Sequence, residues 1–219
     1  MKYGDINMTP NQHFWLLRAF PDSVPHFDTF LKKSVIGLGW PKIGPLKKAI
    51  TAKELKQLFI ENDYPAADNA ALGRRAGFFT RFVTDMKIGD IVMVPDNKGS
   101  VAVYKIRSHY YYDTTITPYV THLRRVKLIT FLKFHSLSKT LQRLLSNQLS
   151  LINLDKAKEE IMSLIDDSSH QEQTIINRKS QSVITGEIKD KFVQVVIPDN
   201  ISNGEVITIL KDIINKLEK

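Results

Sequence analysis

The stretch SVIGLGWPKIGPLKKAITAKELK, residues 34–56, contains the signals that decide how the chain folds. Its apolar run, SVIGLGW, predicts a strand, and Pro41 ends that strand at once. Thr51 and Glu54 have the spacing of a capping box, so we expect a helix to begin there. Trp40 follows Gly39 directly and either fills the core or presents a flat face to a ligand. Spacing alone leaves both interpretations open, because glycines also allow tight packing.

The flanking segments alternate strand and helix patterns. HFWLLRAF (13–20) predicts a first strand, and the segment 68–90 predicts a helix with Asp68 as a candidate N-cap. Gly73 and Gly77 share one stripe of that helix, which suggests that another backbone approaches it closely. Later strands are predicted from IVMVP, VAVYKIRS and LRRVKLITFLKF, the first two joined by the turn DNKGS. The pattern indicates an α+β fold built on a strongly bent, barrel-like sheet with packed helices.

Composition narrows the class of protein. Of 219 residues, 42% are hydrophobic and 25% charged, so a core can form. Cysteine is absent, which excludes disulfides, thiolate metal sites and cysteine nucleophiles. The N-terminal residues have no apolar signal region, and no run of about 18 apolar residues occurs. The expected location is therefore the cytoplasm.

Charge is distributed unevenly along the chain. The formal net charge is +8, and residues 1–165 contain 24 Lys/Arg against 14 Asp/Glu, whereas residues 166–219 contain 7 against 9. The basic surplus belongs to the first part, which favours a polyanionic partner there. We predict a nucleic-acid-binding domain over residues 1–165.

The last quarter of the sequence has its own organisation. The polar stretch 166–182 has the composition of a linker, and residues 183–219 predict a strand followed by a helix. Ser202 and Glu205 form a second capping-box pattern before an apolar stripe. So short a segment buries that stripe poorly by itself. We expect the tail to dock on the main domain, on a second copy of the chain as a homodimer, or on a separate effector.

The sequence contains little that indicates a catalytic or a metal-binding site. None of the six histidines pairs with another at a spacing of three or four, and no GxSxG, P-loop or GxGxxG motif occurs. No metal or cofactor is predicted. Glu187-Ile188-Lys189 has the E-x-K form that, after an upstream aspartate, can bind Mg²⁺ and position a water. An exposed, charged strand edge explains the same three residues.

Aromatic and basic residues are interleaved in the first part of the chain. Bases stack on aromatic faces, and Lys or Arg at the rim binds phosphates. The candidate ligand-binding residues are Trp15, Trp40, Tyr110 and Tyr112, of which the two tyrosines share one face of an extended segment. The candidate contacts to a nucleic-acid backbone are Arg107, Arg124, Arg125 and Lys127. Core packing remains the alternative for Trp15 and for Tyr111.

The order of these pieces resembles a known family. FWLLRAF, IGLGW, TAKELKQLF, FFTRFVTDMKIGD, IVMVP, VAVYKI, YYYD and HLRRVKLI follow one another as in the N-terminal domain of Mrr-like restriction-system proteins. That domain is related to the EVE, YTH and PUA-like modules, and the likeness covers about residues 12–165. It implies a bent, barrel-like sheet that binds nucleic acid and accepts a modified base in an aromatic pocket.

The resemblance also implies roles for particular residues. Trp40 matches the tryptophan after the family's Ile-Gly-x-Gly strand, and Trp15 matches the aromatic residue of the first strand. Tyr112 matches the region before the basic strand, and Arg124 and Arg125 match that strand's arginine pair. Asp90, in the Gly-Asp turn, is taken as structural. A nuclease domain often follows in this family, whereas this sequence continues only into the short tail, so cleavage is not carried over.

Three hypotheses result from the sequence. The first is a non-enzymatic reader of DNA that flips a modified base into a cage of Trp40, Trp15 and a tyrosine, in restriction, defence or regulation. The second is a Mg²⁺-dependent nuclease that uses Glu187 and Lys189. The third is a protein–protein interaction module that pairs chains through its C-terminal helix.

Overall fold

A computed structural model describes residues 11–64, 66–177, 181–188 and 191–198, together with residues 204, 207, 208, 210–212 and 215. The chain divides into two compact units, Met1–Ile165 and Asp166–Lys219. The division falls where the charge balance of the sequence changes sign.

The first unit is built on one mixed sheet of seven strands. In spatial order the strands run β2-β6-β4-β3-β1-β7, and β5 pairs with β6 beside this path. Only β1 and β3 are parallel among the pairs described; the other pairs are antiparallel. The strands are β1 Phe14–Leu17, β2 Val35–Leu38, β3 Ile91–Pro95, β4 Ser100–Ile106, β5 Tyr111–Tyr112, β6 His122–Lys133 and β7 Leu151–Asn153.

The long strand β6 curls the sheet. Its first four residues pair with β2, and the rest of its length pairs with β4, so one strand belongs to both halves. The register between β4 and β6 shifts at Val103/Tyr104, where β6 carries one extra residue. Such a bulge bends and twists a strand. The result is a curled mixed sheet that forms a half-barrel with helices packed on it, and the predicted α+β class is confirmed.

The helices begin where the sequence supplies caps. The hydroxyl of Thr51 accepts from the Glu54 N–H and the Glu54 carboxylate accepts from the Thr51 N–H, so the predicted capping box is confirmed. The Asp68 carboxylate accepts from the N–H of Ala71 at 2.6 Å. A π-helical segment, Arg81–Asp85, follows the third helix directly. The helices are α1 Phe27–Lys33, α2 Ala52–Glu61, α3 Asn69–Thr80, α4 Lys139–Leu145 and α5 Lys158–Asn177.

Each face of the sheet supports its own core. On one face, Val92 and Val94 pack in the cluster that contains the buried residues of α2 and α3. On the other face, Ile91 and Met93 pack with those of α4 and of the first half of α5. Because side chains alternate along a strand, a continuous apolar strand such as IVMVP serves both cores.

Two local expectations need correction. A Cβ on Gly73 or Gly77 would meet only the ends of the Lys56 and Arg81 side chains, at 3.6 Å or more, so no backbone of the described residues approaches that stripe. The stretch 166–182, expected as a linker, is helical as far as Asn177, because α5 continues through it.

The second unit contains a hairpin of β8, Gln181–Ile188, and β9, Lys191–Pro198. The strand predicted in this part of the sequence is confirmed as β9. Residues 204, 207, 208, 210–212 and 215 are helical. The predicted capping residues Ser202 and Glu205 lie outside the described residues. None of the helices in the described part of the chain combines the length and apolar character needed to cross a bilayer.

Candidate nucleic-acid interface

A pocket of about 630 Å³ opens beside the tyrosine triplet. Its volume lies within the range of sites that bind small molecules. One wall comes from the loop after β2, a second from the π-helical segment and the turn after it, and a third from β5 and β6. The lining residues are Pro45, Leu46, Lys48, Val83, Thr84, Met86, Lys87, His109, Tyr110, Tyr111, Tyr112 and Arg124.

Tyr110 and Tyr112 share one face, as predicted, and both rings contact His122. The Tyr110 ring is stacked on the imidazole with centroids 6.0 Å apart, and the Tyr112 ring meets it edge-on at 5.3 Å. Tyr112 donates its hydroxyl proton to the carbonyl of Pro41 at 3.0 Å. The two tyrosines therefore tie β5 to the loop after β2.

A chain of hydrogen bonds fixes the tautomer of His122. The Leu46 N–H donates to the Tyr110 hydroxyl oxygen at 3.1 Å, and that hydroxyl lies 3.0 Å from Nδ1 of His122. Nε2 of His122 lies 3.4 Å from the Trp40 carbonyl, which can only accept, so the ring proton is on Nε2 and the Tyr110 hydroxyl donates to Nδ1. Burial lowers the pKa of His122 to about 4. The imidazole is neutral at pH 7, as this chain of donors requires.

Trp40 packs beside the pocket and does not line it. Its ring lies edge-on to Phe59 at 5.7 Å and tilted against Phe79 at 5.6 Å, and it is half-buried. A Cβ on Gly37 would lie 2.7 Å from the His122 carbonyl oxygen. This glycine therefore allows β2 to approach β6, and it does not serve to bring the backbone close to a ligand. Trp40, predicted as a pocket wall, is therefore not among the residues that line this pocket.

Trp15 is a core residue. It is 3% exposed, and its indole N–H donates to the Asp90 carboxylate at 2.9 Å. Asp90 also accepts from the backbone N–H groups of His13 and Lys87, so its expected structural role agrees with its contacts. The predicted place of Trp15 in a ligand cage is corrected, because both the indole face and its N–H are occupied within the fold.

Arg124 is buried, whereas the sequence predicted a phosphate contact. Its guanidinium donates to the carbonyls of Phe82 at 2.7 Å, Ser108 at 3.0 Å and Val83 at 3.2 Å. The side chain is 1% exposed, and burial lowers its pKa to about 10. It remains a cation at neutral pH and satisfies carbonyls at the end of the π-helical segment. Arg124 therefore lies in the pocket wall and not on the outer surface, where the predicted contact with phosphates would need it.

Arg107, Arg125 and Lys127 lie on the outer surface, as a backbone contact requires. Lys105 pairs directly with Lys127 across β4 and β6, and the Arg107 N–H donates to the Arg125 carbonyl at 2.8 Å. We call these four residues the basic ribbon. The Arg125 guanidinium lies 6.0 Å from the centroid of the Tyr111 ring, which itself lines the pocket. The basic ribbon therefore reaches the pocket at Tyr111.

The nuclease fragment is described only in part. Glu187 lies near the end of β8, opposite Phe192 of β9, whereas Lys189 falls outside the described residues. Within the part of the chain that the structure describes, no three His, Asp or Glu side chains come together as a metal site would need.

Sequence reasoning missed two lysines that line the pocket, Lys48 and Lys87, and the histidine that its tyrosines contact, His122. Lys48 and Lys87 are ordinary exposed lysines in sequence, and nothing in their neighbours marks them. His122 had a usable signal, since it is a histidine at the start of an apolar strand two residues before Arg124.

Comparisons with known proteins give a family and no activity. The model of a family described as a domain of unknown function, DUF8426, matches residues 19–148. No curated protein and no solved structure matches the chain.

Proposed function

Because the chain belongs to the DUF8426 family, a domain of unknown function, we propose its function from the site: it binds DNA and holds one displaced, modified base in the tyrosine pocket. The observation that supports this most is the junction at Tyr111, whose ring lies between the pocket and Arg125 of the basic ribbon. A base in the pocket and a phosphate on the ribbon would then belong to one nucleotide strand.

The energetics favour such a mode of binding. Displacing a base costs a few kcal/mol, and each aromatic contact returns about 1–3 kcal/mol. Three tyrosines line the pocket, so stacking can offset the cost of displacement. Tyr110 and Tyr112 are already held by hydrogen bonds, which lowers the entropy lost when a ligand binds.

We also propose that the first unit is a PUA- or EVE-like module. A half-barrel with helices packed on it is compatible with a PUA- or EVE-like module. On this reading the protein is a non-enzymatic reader in the cytoplasm, acting in restriction, defence or regulation. Discrimination between bases would come from the pocket, and most of the affinity from the basic ribbon.

Tyr111→Ala tests the pocket. We expect it to weaken binding of an oligonucleotide that contains one modified base by about 5- to 150-fold, the equivalent of one stacking contact. The measurement is fluorescence anisotropy at fixed salt with oligonucleotides that differ only at that base. Tyr119→Ala is the matched control, because Tyr119 is 50% exposed and does not line the pocket. Equal losses in the two variants would contradict the proposal.

Arg125→Ala tests the ribbon. Loss of one phosphate contact should reduce the slope of log K against log salt by about 0.7–0.9 for every oligonucleotide alike. Lys98→Ala removes one positive charge from the β3–β4 turn and is the control. A salt slope that Arg125→Ala leaves unchanged would exclude the ribbon as the backbone site.

A further inference from the structure

The charges around the tyrosine pocket are all of one sign. Lys48, Lys87 and Arg124 line it, and no carboxylate is among the described residues of the lining. The Lys87 ammonium group donates to the Thr84 carbonyl at 2.5 Å, which holds that cation at the wall. A ligand in this pocket therefore meets three positive charges with no acid on the wall to neutralise them.

Arg124 adds a buried positive charge to this wall. Its Nε and both terminal nitrogens donate to carbonyls of the chain, and the residue is 1% exposed. Its hydrogen bonds therefore hold the guanidinium in the wall, and its charge acts on the pocket from there. A buried cation beside a pocket favours a ligand that brings negative charge.

The hydroxyls of Tyr110 and Tyr112 do not compete for that ligand. The hydroxyl of Tyr110 is used by Leu46 and His122, and the hydroxyl of Tyr112 donates to Pro41. Their rings remain as stacking surfaces. The pocket thus offers flat apolar faces and a cationic, donor-rich wall.

We infer that the tyrosine pocket selects a base whose edge carries oxygen acceptors, and that a pyrimidine with a carboxylate substituent binds most tightly. The inference rests on the proposed function, since it names the class of base that the same pocket accepts. A ring stacks on the tyrosines, while its carboxylate meets the ammonium groups of Lys48 and Lys87 beside the buried charge of Arg124. A methyl substituent at the same position is smaller and brings no acceptor for those donors.

The test compares four single-stranded oligonucleotides of one sequence that differ only at a central base: cytosine, thymine, 5-methylcytosine or 5-carboxylcytosine. Affinities are measured by fluorescence anisotropy on the full chain at one salt concentration. We expect the carboxyl form to bind about tenfold or more tightly than the methyl form, as a charge-assisted hydrogen bond provides.

Charge variants separate the pocket from general electrostatics. Lys48→Gln with Lys87→Gln should lose most of the preference for the carboxyl form. Lys53→Gln with Lys98→Gln removes the same charge from exposed positions outside the lining and should keep it. These lysines are used because substitution of the buried Arg124 endangers folding. Comparison of the thermal unfolding midpoints of the two double variants verifies that both are folded.

The outcomes distinguish the two proposals. A clear preference for the methyl form or for cytosine, reduced by Tyr111→Ala, overturns the inference about charge and leaves the base pocket standing. A carboxyl preference that survives Lys48→Gln with Lys87→Gln also overturns the inference. Affinities that do not depend on the central base overturn both proposals.

Discussion

The first unit should lose stability as the pH falls, and His122→Gln should make that loss smaller. Burial lowers the pKa of His122 from 6.5 to about 4. Above pH 6.5 the imidazole is neutral in both the folded and the unfolded chain. As the pH falls below 6.5, the unfolded chain takes up a proton that the folded chain excludes, and this continues until the folded pKa is reached.

The magnitude follows from the width of that window. Each pH unit between the two pKa values costs about 1.4 kcal/mol of the free energy of unfolding. Between pH 6.5 and pH 4.5 the wild-type chain should therefore lose about 2 kcal/mol through His122, since the unfolded imidazole is already half protonated at pH 6.5. His13 acts in the opposite direction, because its hydrogen bond to Asp155 raises its pKa. Only the difference between wild type and variant isolates His122.

Urea unfolding followed by tryptophan fluorescence is a suitable assay. Both tryptophans, Trp15 and Trp40, belong to the first unit, so the signal reports its unfolding. Glutamine can still bond the Tyr110 hydroxyl but does not titrate. His135→Gln is the matched control, because His135 is exposed. The reasoning is refuted if His122→Gln loses as much stability between pH 6.5 and pH 4.5 as the wild type and His135→Gln.

Three further substitutions test the packing around the site, each by the midpoint and slope of urea unfolding. Gly37→Ala should cost about 1–3 kcal/mol, since its methyl carbon would lie 2.7 Å from the backbone oxygen of His122; an unchanged midpoint would contradict this. Asp90→Asn should cost about 2–4 kcal/mol, because the two carboxylate oxygens accept three N–H groups, one of them from Trp15, and the NH2 of asparagine would face at least one of these donors. A loss of less than about 0.5 kcal/mol, which is typical of neutral surface substitutions, would count against this. Thr51→Ala should cost about 1 kcal/mol through loss of the capping box, and a gain in stability would be the opposite result.

Much of the fold could be predicted because local signals and tertiary structure agree. The capping box at Thr51, the N-cap at Asp68 and the DNKGS turn each specify backbone geometry within a few residues. The parallel pairing of β1 with β3 could not be predicted in this way. It joins Trp15 to Val92 across an intervening segment that contains β2 and three helices, and no short-range pattern encodes such a partner.

The site was predicted in part, for a physical reason. Aromatic and basic residue types indicate a kind of surface, but a strand alternates its side chains between two faces. Arg124 and Arg125 are neighbours in sequence, and the pleat sends the first into the core and the second to the surface. Only the register of β6 against β2 and β4 decides which arginine is which.

The position of β1 in the sheet has a consequence for synthesis of the chain. It lies between β3 and β7, and Trp15 pairs with Asn153 on the second side. A ribosome that adds about 5–20 residues per second needs roughly 7–28 s to reach that partner. Both edges of the apolar segment Phe14–Leu17 lack a partner until β3 is made, and one edge still lacks its partner until β7 is made. We expect the nascent protein to offer that edge to chaperones, and slowing elongation within residues 96–150 should increase its aggregation.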